Sequence, residues 1–164
     1  MKLSMSAKAI KNARPKKYKL KLELIPAACW GKNLRMLLSQ DEWDVIRRVV
    51  YQRANYLCQV CNGHGEHHPV EAHEVWRYNK RKKLQTLVRI IALCPECHMV
   101  AHAGRTIHMG DMTIEEVRKR LSKVNKWSRK QVIEHERIMI DRYHKRSEIE
   151  DWEIDISKKE EYLK

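Results

Sequence analysis

The sequence has few of the residues that interrupt regular structure: its 164 residues include only 5 glycines and 4 prolines, and no phenylalanine. Because 43% of the residues are hydrophobic, this scarcity favours a helix-rich globular chain over a disordered one. The sequence also has no apolar run near the roughly 20 residues of a membrane span, and no apolar signal core follows its first lysines. We therefore expect one ordinary domain, located in the cytoplasm.

Positively charged residues are abundant in this sequence. Lysine and arginine number 34 against 21 acidic residues, which leaves a formal net charge of +13. A charge of this size on a small chain indicates a polyanionic partner. Nucleic acid is the first choice and a membrane surface the weaker one, and composition does not separate DNA from RNA.

The two ends of the chain differ in pattern from its middle. Residues 1–17 are rich in lysine and arginine, with no acidic residue and little apolar content, which predicts a flexible basic arm. Residues 18–55 are expected to hold a strand, at 18–24, and a helix. The alternation of lysine with apolar residues in 18–24 has the period of two of a half-buried strand.

Three capping boxes, each a serine or threonine followed three residues later by glutamate or glutamine, predict where helices begin. They place helices at residues 40–54, 114–124 and 129–146. The last two belong to a helical C-terminal extension, residues 106–164. It ends in a short alternating segment at 152–157, which we expect to form a strand, with residues 18–24 as a candidate partner.

Four of the 5 cysteines form two CxxC pairs, Cys58 with Cys61 and Cys94 with Cys97. Two such pairs are typical of a closed, tetrahedral, structural zinc site. The fifth, Cys29, stands alone and is interpreted as a buried core residue.

A second set of candidate ligands lies between and after these cysteines. His73 and Glu74 lie in a predicted strand at residues 70–76, and an apolar segment at 84–93 leads to the second CxxC pair. His98 and His102 follow it with a spacing that places both imidazoles on one face of a short helix, which Gly104 is expected to end. Ligands in excess of one closed zinc site suggest a second, open, catalytic metal.

The segments VEAHEVW and LCPECHMVAH resemble the HNH nuclease module of the ββα-metal, treble-clef type, in the bacterial and phage variant whose first motif is His-Glu. The close resemblance covers residues 56–105. It implies an α+β fold: a treble-clef HNH core with a structural zinc, flanked by helices and a possible pair of terminal strands. It also implies a bacterial cell or a phage-infected host.

The chemistry implied by the resemblance is hydrolysis of a phosphodiester, assisted by one divalent cation (Mg²⁺, Mn²⁺, Ni²⁺ or Zn²⁺). By position, His73 and Glu74 correspond to the metal ligand and the general base, and His98 and His102 to the helix ligands. The reverse assignment is chemically attractive, with His73 as base and Glu74 as ligand, because an unperturbed histidine titrates near pH 6.5 and carboxylates suit hard cations. Glu71, on the face of His73, is a third candidate ligand.

The family's middle asparagine is missing. Arg89 occupies its place, so Asn79 or Gln85 would have to orient the loop between the strands, and Arg89 would instead contact a phosphate or solvent.

Basic residues near these motifs are expected to grip the phosphate backbone without reading sequence. They are Lys80, Arg81, Lys82, Lys83, Arg89 and Arg105. The sequence thus predicts an HNH endonuclease or nickase acting on DNA, double-stranded in the simplest reading. The alternative is an inactive, zinc-stabilised nucleic-acid-binding adaptor in a phage or defence assembly. A monomer, a homodimer and a subunit of a larger complex all stay open.

Overall fold

The computed structural model describes residues 17–164, so residues 1–16 of the predicted basic arm lie outside the described part of the chain. The fold is α+β, with one small sheet between two groups of helices. Its helices are α1 (Leu34–Leu37), α2 (Gln40–Arg53), α3 (Pro95–Ala101), α4 (Ala103–His108), α5 (Ile114–Asn125), α6 (Arg129–Ser147) and α7 (Glu160–Leu163). Short 3-10 turns occupy Ala27–Cys29 and Ser157–Lys159.

The sheet has three strands in the order β1 (Glu71–Asn79), β2 (Leu84–Leu93), β3 (Glu153–Asp155). β1 and β2 form an antiparallel hairpin in which His73 pairs with Ile91, and the register shifts between Val75 and Trp76. β3 adds to the other edge of β2 in parallel.

Side chains alternate across this sheet and build a separate core on each face. On the first face, Ile91 and Leu93 pack with Val100 and Leu121 of helices α3 and α5. On the second face, the core consists of helices α1, α2 and α7 against β2, with residues Leu34, Ile46, Val50, Leu87, Ile90, Ala92 and Tyr162. His73 and Glu74, being neighbours in β1, therefore face opposite sides of the sheet.

All three predicted capping boxes are present, with both reciprocal hydrogen bonds formed at Ser39 with Glu42, Thr113 with Glu116 and Ser128 with Gln131. The helices that follow agree with the predictions within one or two residues. A cap is a local interaction, which is why these starts are readable from sequence.

The strand predicted at residues 18–24 is wrong, although its apolar alternation is real. Leu20 and Leu22 are buried, but residues 17–26, called here the N-terminal strap, form no ladder with a strand. The strap is held by helices instead. Asn125 accepts from the Leu20 N–H and donates to the Leu20 carbonyl, at 2.8 and 2.7 Å. The strap thus crosses α5 and α6 as extended chain.

Two smaller predictions also differ from the structure. The C-terminal strand is confirmed as β3, yet it pairs with Leu84 to Thr86 of β2 and not with the strap. Gly104 does not end the helix of His98. That helix ends at Ala101, with His102 as its C-cap, and Gly104 lies inside the next helix, α4. No helix within residues 17–164 is both long and apolar enough to cross a membrane.

Candidate metal centres

The four-cysteine group, Cys58, Cys61, Cys94 and Cys97, brings together the two CxxC pairs predicted from sequence. Their sulfurs all lie within 4.8 Å of one another, and the Sγ atoms of Cys61 and Cys94 are 3.7 Å apart. Two thiolates bound at about 2.3 Å to one tetrahedral zinc would be separated by about 3.8 Å, so the group fits a zinc ion. The group can hold a metal ion, and its chemistry favours zinc.

The loop after Cys61 is shaped by close backbone approach. The Gly63 N–H donates to Cys61 Sγ at 3.3 Å, and the Cys58 N–H donates to the Gly63 carbonyl at 2.8 Å. A Cβ added at Gly65 would lie 2.4 Å from the His68 carbonyl oxygen, so only glycine fits there. These contacts turn the chain back toward the sulfurs.

Arg120 of α5 is a neighbour of this group that the sequence pattern did not reveal. Its guanidinium nitrogen Nη2 lies 3.3 Å from the sulfurs of Cys61 and Cys97 and 3.6 Å from that of Cys94. Its other terminal nitrogen is 2.8 Å from the Glu96 carboxylate. A partly buried cation against three sulfurs favours their thiolate form, which is the form that binds zinc.

The three-histidine group, His73, His98 and His102, is the second candidate centre. One ring nitrogen from each lies within 4.8 Å of the others, and the ring centroids are 4.9 to 5.2 Å apart. His73 comes from β1, whereas His98 lies in α3 and His102 directly follows it. The structure thus brings His73 together with His98 and His102, which lie 25 and 29 positions later in the chain, as the sequence motifs predicted.

The surroundings of these rings suit metal ligands. Burial lowers the pKa of His102 to about 3, which keeps the ring neutral and its lone pair free. His73 is only 2% exposed, and neither of its nitrogens forms a hydrogen bond within the described residues. Since buried polar atoms are nearly always paired, such a histidine among two others fits a metal ligand.

Glu71 is not itself part of the group, but it contacts one of its members. Its carboxylate makes a very short hydrogen bond with His98 Nδ1 and lies 2.7 Å from His68 Nε2. The hydrogen bond with His98 lowers the pKa of Glu71 to about 2, so it is a carboxylate. A carboxylate on Nδ1 leaves Nε2 of His98 as the available ligand atom, an arrangement common around metal-binding histidines.

Glu74 is not brought to the three-histidine group. Both of its carboxylate oxygens accept from the Leu34 N–H, at 3.1 and 3.2 Å, on the opposite face of the sheet. Burial raises the pKa of Glu74 to about 7. Because consecutive strand residues point to opposite faces, the pairing of His73 and Glu74 on one metal, expected from the motif, does not occur in this conformation.

The predicted basic loop also lies away from the histidines. β1 ends at Asn79, six residues beyond His73, or about 20 Å at the usual rise per residue, and Lys80 to Lys83 form the tip of the hairpin after it. Lys83 is paired there with Asp151 at 2.7 Å. In contrast, Arg105 lines a cavity of about 690 Å³ together with His102. Arg105 is thus the predicted phosphate-binding residue that lies beside His102.

Asn79, Gln85 and Arg89, the three residues considered at the place of the missing asparagine, have their recorded contacts elsewhere than at the histidine rings. Asn79 accepts from the Lys82 N–H at 3.0 Å and so closes the hairpin turn. Gln85 is buried and donates to the Lys32 carbonyl at 3.1 Å. The guanidinium of Arg89 lies 4.9 Å from the Tyr18 ring centroid, a cation–π contact that holds the strap.

Neither a protein-family model nor a curated protein nor a solved structure matches this chain. Its function must therefore be inferred from the two candidate metal centres and their surroundings.

Proposed function

We propose that this protein is a metal-dependent endonuclease or nickase that hydrolyses phosphodiester bonds in DNA. The observation that carries the proposal is the convergence of His73, His98 and His102 next to a separate four-cysteine group. A closed four-cysteine site has no open coordination position, so the second, partly buried group of histidines is a separate candidate for a catalytic ion. The residues concerned are those that resemble the HNH module.

The order of the elements supports the same proposal. The chain runs from the Cys58 to Cys61 knuckle through the β1–β2 hairpin into α3, which carries Cys97 and His98. A cysteine-bound zinc would tie the knuckle to the start of α3, and α3 would bring its histidines to the hairpin. This arrangement resembles that of a treble-clef, ββα-metal core, and the structural zinc and that core topology are part of the proposal.

A divalent cation held by the three histidines would stabilise negative charge on the phosphate and on the leaving oxygen. The donor set fits such an ion, as does the burial of His73 without a hydrogen bond at either ring nitrogen, and three protein ligands leave a coordination position for substrate. His73 is accordingly assigned as a ligand and not as the general base. Glu71 orients His98 and balances part of the positive charge.

Two further residues have roles in the proposed site. Arg105, at the cavity beside His102, would bind the phosphate, and the net charge of +13 would attract the DNA. Glu74, the family's base by position, is bonded to Leu34 in this conformation and is assigned to holding α1.

The second candidate function is a nucleic-acid-binding adaptor without cleavage. The position of Glu74 favours it, because the residue that corresponds to the general base points away from the histidines. In both cases the partner would be DNA and the four-cysteine group would be structural.

Plasmid nicking separates the two functions. Purified full-length protein is incubated with supercoiled DNA and Mg²⁺, Mn²⁺, Ni²⁺ or Zn²⁺, and the nicked fraction is followed with time. We expect nicking with at least one of the ions, and at least about a 100-fold loss of rate in His98→Ala, because metal stabilisation contributes several kcal/mol.

The matched control is His67→Ala, since His67 is an exposed histidine of the nearby loop. It should cut like the wild type. DNA binding is measured in parallel at two salt concentrations. If no ion supports cutting while DNA is bound in a salt-dependent way, the endonuclease proposal is wrong and the adaptor is correct.

A further inference from the structure

Glu23, in the N-terminal strap, is placed against the most deeply buried histidine of the proposed metal site. Its Oε1 lies 3.3 Å from His73 Nε2, and its side chain is 23% exposed. Within residues 17–164, Glu23 is the one acidic residue at ion-pair distance from His73. Its side chain also lines the cavity shared by His102 and Arg105. No sequence motif draws attention to this residue, which lies 50 positions before His73.

The position of Glu23 is set by several anchors. Its own N–H donates to the Ala101 carbonyl of α3 at 2.8 Å. The preceding Leu22 N–H donates to Nε2 of His135 in α6 at 3.0 Å, and burial lowers the pKa of His135, which keeps that acceptor available. Together with the two bonds of Asn125 to Leu20, these contacts hold the strap on both sides of Glu23. The carboxylate is therefore held at His73 by the fold.

The contact of Glu23 with His73 would help to balance the charge of the proposed metal site. Three neutral histidines and a divalent cation would leave a charge of +2 in a site whose central ring, His73, is almost fully buried. Glu71 supplies one negative charge at His98, and Glu23 supplies a second at His73. Carboxylates behind ligand histidines fix the ring orientation and raise the basicity of the ligand nitrogen.

We propose that Glu23 is a positioning residue of the histidine metal site: its carboxylate accepts the Nε2 proton of His73, orients the ring and leaves Nδ1 as the ligand atom. The proposed hydrogen bond would form at the 3.3 Å contact between Glu23 Oε1 and His73 Nε2. The inference rests on the proposed function in that it requires a cation at the three histidines. Through Glu23, the N-terminal strap becomes part of the proposed metal centre.

The test measures metal affinity and does not depend on DNA cleavage. Full-length protein that keeps zinc at the four cysteines is titrated with Co²⁺, and binding at the histidines is followed by the visible d–d absorption of the ion. We expect Glu23→Gln to bind Co²⁺ roughly 10- to 100-fold more weakly, the usual cost of losing such a carboxylate. Glu23→Asp, which keeps the charge, should recover part of the loss.

The matched control is Lys21→Gln, an exposed position two residues away on the same strap, which should bind Co²⁺ like the wild type. The temperature of thermal unfolding without Co²⁺ is compared for all variants. A merely structural role of Glu23 would lower this temperature in Glu23→Gln without a selective loss of Co²⁺ affinity. Equal affinities of Glu23→Gln and wild type would refute the role of Glu23 and leave the proposed function intact. If the wild type binds no Co²⁺ beyond the cysteine site, the proposed metal centre fails and this inference fails with it.

Discussion

At the scale of single residues, Glu74 has a predicted catalytic role and an observed structural role. The resemblance predicts a catalytic base at this position next to His73, but the carboxylate accepts the N–H of Leu34, a residue with no exposed surface. An unpaired N–H at such a buried site is costly, so the hydrogen bond stabilises the start of α1. Stability and activity can be separated here, because glutamine keeps an acceptor oxygen but is a poor base.

We expect Glu74→Ala to lower the free energy of unfolding by about 1–3 kcal/mol, because it leaves the Leu34 N–H buried without an acceptor. Glu74→Gln should lose less than about 1 kcal/mol, since its amide oxygen replaces the carboxylate. Urea unfolding in zinc-saturated buffer measures both, with Glu66→Ala at an exposed loop position as control. Equal losses in the two Glu74 variants would show that the Leu34 contact is not the source of the stabilisation.

At the scale of elements, α5 joins the C-terminal helices to the four-cysteine group. Val117 and Leu121 are fully buried in the first core, and Arg120, on the same helix, contacts three sulfurs and Glu96. A helix outside the resembling segment thus contributes directly to the candidate zinc centre. Lysine cannot replace this contact, because it lacks the planar fork of donors.

We expect Arg120→Lys to bind zinc at the four cysteines roughly 10-fold more weakly than wild type, and Arg120→Gln to lose more, because both weaken the donors around the thiolates. Zinc transfer to a colorimetric chelator measures the release. Lys119→Gln, an exposed neighbour on α5, is the control and should release zinc like the wild type. Unchanged release from both Arg120 variants would contradict a role of this residue in holding zinc.

At the scale of the whole molecule, the two faces of the sheet differ in their dependence on metal. The core on the first face includes Cys58, Cys94 and Cys97, whereas that on the second face is built from α1, α2 and α7 with no cysteine among its buried residues. Zinc binding contributes on the order of 10 kcal/mol to the folding of small zinc modules. We therefore expect the folding of the first core to require zinc. The second core should lose stability as well when zinc is removed, because both cores pack on the same sheet.

Removing zinc with a strong chelator should abolish the cooperative thermal transition, and restoring zinc should recover it. Cys58→Ser should behave like the chelated protein, because three thiolates hold the ion less well than four. Cys29→Ala is the control: Cys29 is buried but lies outside the four-cysteine group, so this variant should retain about one zinc per chain. A chelated protein that unfolds like the untreated one would refute a structural zinc.

Interactions that are local in the chain could be predicted from sequence. The capping boxes and each CxxC pair involve residues three positions apart, so the helix starts and the two cysteine pairs were predictable. The apolar alternation of residues 18–24 correctly indicated which side chains are buried. It could not indicate that their backbone partners are helix side chains, because Asn125 lies more than 100 residues away.

The sequence by itself determined an α+β chain, strongly basic, with two sets of metal-ligating residues at recognisable spacings. Only the tertiary structure decided which carboxylates meet the histidines. Long-range packing brings Glu23 to His73 and Arg120 to the cysteines, and it gives Glu74 a partner in Leu34, 40 positions away. Such contacts leave no periodic pattern in the chain, because they depend on how the strap and α5 pack on the first face of the sheet.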